Sequence, residues 1–147
     1  MEKRINISKL EPKSYAPLLK MEEYIKESEI DYLLRELIKI RASQINKCAY
    51  CLDMHIKDAL AAGASAQKLN VLAAWQESPL FSEAERAALA LTEEVTLISD
   101  AGLSQSTYEE VLKHFTENQV AQLIILVCQI NSWNRIAVST HLLHPID

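Results

Sequence analysis

Apolar positions recur along this chain at the three-to-four-residue spacing of amphipathic helices. Tyr15, Leu18, Leu19 and Ile25, following Pro12 and Pro17, predict a first helix of about three turns. A second is expected from near Ser28, whose hydroxyl caps the backbone while Asp31 complements the positive helix end. It carries Ile30, Leu33, Leu34, Leu37, Ile38 and Ile45 on its apolar side, and also Glu36 and Arg41. The polar stretch SQINK, residues 43–47, interrupts that pattern, and Asn46 is the expected cap of a helix running through CAYCLDMHIKDALAA to a stop at Gly63. Ser65 caps a short helix to Trp75, Pro79 marks a turn, and Ser82 with Glu85 has the form of a capping box opening a helix to about Ser99. Gly102 breaks the chain, and Ser106 with Glu109 repeats the capping pattern. Thr116 with Gln119 opens a long terminal helix holding Val120, Leu123, Ile124 and Val127, and Pro145 stops whatever helix remains. The prediction is about seven helices in one domain over residues 1–147.

Composition narrows the class. At 147 residues and 49% apolar, the chain suffices for one sizeable core. Two glycines and four prolines are too few for the turns of a many-stranded sheet, which leaves an all-α fold. Fifteen Lys and Arg against twenty Asp and Glu, a net charge of −5, provide no broad basic face, so nucleic acid is not the expected partner. The apolar stretch Val120 to Trp133 is interrupted by Gln122, Gln129 and Asn131 and falls short of the ~20 residues that cross a bilayer, so it reads as a buried core helix and no membrane is expected. The start MEKRINISKL lacks the apolar run of a secretory signal, and a cytoplasmic location is expected.

Three cysteines cannot make a complete disulfide framework, and a close pair among them points to redox chemistry or metal binding. Cys48, Cys51 and His55 stand at i, i+3 and i+7, on one face of a helix. A cap at Asn46 puts Cys48 in the first turn, where free backbone amides and the helix dipole favour a thiolate, and Lys47 adds positive charge. A second thiol three residues away condenses with a sulfenic acid before over-oxidation. His55 is a proton acceptor beside the thiols, with a hydrogen-bonded structural histidine as the plain alternative. Zinc is the competing use of two thiolates and an imidazole, with His141 or His144 as the fourth ligand. Cys128, inside LIILVC, reads as a small buried core residue without chemistry.

The segment RASQINKCAYCLDMHIKDAL, residues 41–60, resembles the core signature of the alkylhydroperoxidase D family, a branch of the carboxymuconolactone decarboxylase-like proteins. Arg41, Ser43, Ile45, Asn46, Cys48, Cys51, His55 and Ala59 carry the match. INSWNRIAVST, residues 130–140, resembles the family's second block near the carboxyl end. The resemblance implies a hydroperoxide reductase in which Cys51 attacks the peroxide and Cys48 resolves it. It also implies that His55 and Glu36, twelve residues before Cys48, move protons through water. Glu36 otherwise reads as a surface partner of Lys39 at i+3. No metal or organic cofactor is implied; a dihydrolipoyl- or thioredoxin-like protein reductant and a homo-oligomer, a trimer or hexamer, are. One departure stands out: some relatives have a relay histidine directly before the second cysteine, where this chain has Tyr50; a phenol ordinarily titrates near 10 and is no base at neutral pH. The decarboxylase branch generally lacks the cysteine pair. The alternatives are a disulfide-exchange or redox-sensing protein without peroxidase turnover, and a zinc-bound structural module.

Overall fold

Short polar side chains start most of the helices, and their positions correct the expected boundaries. A computed structural model describes residues 2–146. Asn6 caps α1 (Ile7–Leu10), and α2 (Pro12–Lys26) opens with Pro12 at its first position, where the missing N–H costs nothing. At fifteen residues α2 is longer than expected and runs through Pro17. The next cap is Asp31, not Ser28: its carboxylate accepts from the Leu34 amide, and α3 spans Tyr32–Ile45. Ser28 instead closes the end of α2, its hydroxyl donating to the Ile25 carbonyl. α4 (Ala49–Ala61) ends with Gly63 at φ +91°, as expected, and the Ala64 amide reaches back to the Ala59 carbonyl at 2.9 Å.

Ser65 caps α5 (Ala66–Asn70), but the expected helix to Trp75 splits into α5 and a 3₁₀ segment, Leu72–Glu77, kinked at Ala74. The capping box of Ser82 and Glu85 opens α6 (Glu83–Thr96), which ends short of Ser99 and gives way to α7 (Ile98–Ala101). The cap of α8 (Gln105–Leu112) is Ser104, two residues before the expected Ser106. Glu94 selects it, accepting from both the Ser104 amide and its hydroxyl. Thr116 and Gln119 open α9 (Glu117–Thr140), closed by His141 in the left-handed region at φ 52°. The described residues form an all-α fold of nine α-helices and one 3₁₀ segment, more than the seven expected because α1 is too short to show a periodicity and the helices expected to Trp75 and Ser99 each split in two.

α3 runs through the middle, against α4 on one side and α6 and α9 on the others. Its Leu34 and Ile38 join Ala88, Leu91, Leu123 and Val127 in the main core, while Leu37 and Ile40 meet Leu72, Trp75, Phe81 and Leu89 in a second. Each fully buried side chain of this size contributes about 1.5–3 kcal/mol. The polar interruptions of α9 are anchors for other segments: Gln122 accepts from the Glu29 amide and Gln129 donates to the Leu18 carbonyl. Among the described residues no helix is long and apolar enough to cross a membrane.

Candidate functional site: a buried cysteine pair and its charged neighbours

The site grows from the turn between α3 and α4. Asn46, expected to cap α4, ends α3 instead, and its side-chain amide reaches Asn131 and Asn134 of α9. Lys47 follows at φ 55°, turning the chain so that the Cys48 amide donates back to the Ser43 carbonyl at 3.0 Å. Cys48 is itself the cap of α4, its Sγ accepting from the Cys51 amide at 3.3 Å. Cys48 and Cys51 form a disulfide with Cα atoms 5.3 Å apart. Both are buried, packed against Ala137 of α9, Tyr50 and Leu142.

One turn on from Cys51, His55 Nδ1 donates to Glu36 Oε2 at 2.8 Å, joining α4 to α3. Glu36 meets Lys39 as well as His55, its other oxygen lying 3.4 Å from Lys39 Nζ. It is no surface residue, however: Glu36 is 3% exposed. Lys39 is buried too and is shared with Glu22 of α2 at 3.6 Å, while Glu22 accepts from the Trp133 indole N–H at 2.7 Å. Burial pushes the Glu36 carboxyl up, but the hydrogen bond and charge of His55, with Lys39, outweigh it and hold Glu36 below its ordinary 4.5. Glu36 is thus a carboxylate at neutral pH and orients the imidazole through Nδ1, leaving Nε2 as the nitrogen that can exchange a proton.

Cys51, His55, Glu36 and Tyr50 line a cavity of about 400 Å³. Its other walls are mostly apolar, with Leu19 and Ile25 of α2, Met54 of α4, and Ile130 and Ile136 of α9. Trp133 closes one side and packs edge-on against Tyr15, centroids 5.1 Å apart.

The ligand set expected for zinc, Cys48, Cys51 and His55 with His141 or His144, is not gathered among the described residues. The two sulfurs are bonded to each other, His141 Nδ1 donates to the Glu2 carbonyl, and His144 Nδ1 to that of Pro145. Among the described residues the single three-ligand cluster is Glu36, His55 and Asp58, without a cysteine, and the Lys39 ammonium beside Glu36 opposes a cation there. Cys128 is exposed rather than buried. The register of α9 turns Leu126, Val127, Gln129 and Ile130 inward and leaves position 128 on the open side. Trp75 and Trp133 are both tied inward, their indole N–H groups donating to Glu93 and Glu22 respectively.

Spacing alone did not reveal Lys39, Glu22 and Trp133 as parts of the site. The only local signal was Lys39 at i+3 from Glu36; Glu22 and Trp133 meet across 111 positions.

Fold and site define an all-α protein with a cysteine pair at the head of a helix and a carboxylate–imidazole pair one turn beyond it. The chain belongs to the carboxymuconolactone decarboxylase family, whose profile matches residues 12–94. It is 41% identical over 139 residues to the uncharacterized protein YdfG of Bacillus subtilis (strain 168), covering 95% of each chain. It is similar to the crystal structure of a protein of unknown function from Agrobacterium tumefaciens, named as a candidate antioxidant defence protein AhpD, at 36% identity and a TM-score of 0.96 over 99% of this chain and 100% of that one. The apo structure of the debrominase Bmp8, at 21% identity and a TM-score of 0.81 over 91% of this chain and 72% of that one, shares the fold. The family takes its name from a decarboxylase, and the candidate antioxidant protein and the debrominase share this chain's fold.

Proposed function

We propose that the protein is a thiol-dependent hydroperoxide reductase of the peroxiredoxin type, with Cys51 as the attacking thiol. The observation that carries the reading is that Cys51, and not Cys48, lines the cavity together with His55 and Glu36. In the reduced protein the Cys51 thiolate attacks the outer peroxide oxygen, the O–O bond breaks, and the alcohol leaves with a proton supplied through His55. The Cys48 thiol then condenses with the Cys51 sulfenic acid, forming the disulfide and releasing water. A dihydrolipoyl- or thioredoxin-like protein dithiol takes up the oxidation and returns both thiols. Tyr50 is no obstacle in this scheme, because Glu36 reaches His55 directly and the route does not pass through position 50. No metal or organic cofactor takes part, and the working unit is a homo-oligomer, a trimer or hexamer, which light scattering on the eluted protein tests.

The experiment is a peroxide challenge of fully reduced protein, followed by alkylation and mass spectrometry. The expected product is a rapid Cys48–Cys51 disulfide with the exposed Cys128 still alkylated. Thiols that stay alkylatable under peroxide, yet are oxidised by a disulfide donor, would replace this reading with disulfide exchange or redox sensing.

A further inference from the structure

The second block of the sequence, residues 130–140, contributes a polar network that the peroxide chemistry does not use. Asn46 Nδ2 donates at 2.9 Å to Asn131 Oδ1 and at 2.9 Å to Asn134 Oδ1. Asn134, wholly buried, donates in turn to Ser43 Oγ at 2.9 Å, and the Ser43 hydroxyl donates to the Lys39 carbonyl at 2.7 Å. Asn131 also holds Thr96 at 3.0 Å and accepts from Arg135 at 2.7 Å. Among the described residues no buried side-chain nitrogen or oxygen lacks a partner.

We infer that Asn46, clamped by Asn131 and Asn134, is a positioning residue that sets the dithiol–disulfide equilibrium of Cys48 and Cys51. The inference rests on the redox-pair reading of these cysteines and concerns how strongly the pair closes. Cys48 lies two residues beyond Asn46, and between them is Lys47, in a backbone region that side chains other than glycine rarely adopt. A turn of that kind persists only when its surroundings hold it. Here the side chain of Asn46 fastens it to α9, while the Cys48 amide is fastened to Ser43, itself part of the same network.

The energetic consequence has a definite sign. In the oxidised protein the sulfur–sulfur bond itself holds Cys48 against Cys51. In the reduced protein the amide clamp does so, keeping the two thiols at a high effective concentration. Removing the clamp frees the reduced turn, raises its entropy and weakens disulfide closure.

The test equilibrates the full-length protein with mixtures of reduced and oxidised glutathione, without peroxide, and quantifies Cys48 and Cys51 by alkylation and mass spectrometry. The reaction is two glutathione thiols plus the protein disulfide giving the protein dithiol plus glutathione disulfide. For Asn46→Ala the equilibrium constant for disulfide closure is expected to fall about tenfold, a potential about 30 mV less negative. Asn46→Ser provides a milder variant with the same direction should the alanine form fold poorly. Val111→Ala, on the buried face of α8, is expected to lower the melting temperature without moving the constant. A constant within twofold of the parent in both Asn46 variants, or an equal shift in Val111→Ala, overturns the proposal. A parent that never forms the intramolecular disulfide overturns the redox-pair reading as well, whereas failure to react with peroxide leaves the glutathione equilibrium measurable.

Discussion

Two sides of α3 are equally buried and chemically opposite. Leu34 and Ile38 face the main core among Ala88, Leu91, Leu123 and Val127, where apolar area removed from water is the whole contribution. Glu36, Lys39 and Ser43 are buried toward α2, α4 and α9, and each is matched by a partner: His55 and Lys39 for Glu36, Glu22 for Lys39, Asn134 for Ser43. The first side tolerates imperfect geometry at a moderate cost, whereas on the second a missing partner leaves a charge or amide stranded. The comparison teaches where stability and chemistry are separable on one helix.

The sharpest way to break it is at the sulfurs. Cys51→Ser is expected to abolish the reaction with hydroperoxide, while Cys48→Ser reacts once and leaves Cys51 as a sulfenic acid, detectable by dimedone trapping and mass spectrometry. Equal slow reaction in both variants would reverse or erase the assigned roles. On the apolar side, Ile38→Ala should lose about 2–5 kcal/mol in urea unfolding while the rate of disulfide formation by peroxide in the folded fraction stays at the parent level. A rate that falls along with stability would show the two sides to be coupled.

Lys39→Met probes the charged side. Without the ammonium, one of the cations holding the Glu36 carboxyl down is gone and its pKa rises. The acid limb of the peroxide reaction should therefore move to higher pH, read from kcat/KM across a pH series. The stability effect has its own sign. A carboxyl depressed on folding contributes stability that is present above its ordinary 4.5 and is lost as pH falls through the lower folded value. Glu36→Gln should accordingly flatten the fall of the melting temperature in that acid window, and an unchanged slope would remove Glu36 from the balance.

The smallest expected effect is at the turn. Lys47→Gly relieves the left-handed backbone at φ 55°, and thermal unfolding should show a gain on the order of 0.5–1 kcal/mol. A loss would mean that the side chain of Lys47 stabilises the turn by more than its backbone costs.

Much of this was readable before any coordinates. The capping boxes at Ser82 and Thr116 were legible because both halves of the motif lie within one helical turn. Cys51 and His55 were legible as neighbours for the same reason. Asn46 departs from expectation because a polar residue at a helix boundary suits the end of one helix as well as the start of the next, and only the left-handed Lys47 decides between them. Ser106 lost to Ser104 because the deciding group, Glu94, belongs to another helix. Cys128 is exposed against expectation because an apolar run conceals which of its members turns outward.

What the chain determined by itself is local: helices from apolar spacing, several starts from short polar side chains, and a cysteine pair with a histidine one turn away. Tertiary structure alone brought Glu22, Lys39 and Trp133 to one cavity and tied Asn46 to Asn131 and Asn134 across 85 and 88 positions. The physical reason is range. Backbone capping and helical periodicity act within one or two turns, whereas desolvation of charges and amides depends on which helices pack together, a matter settled by the whole core at once.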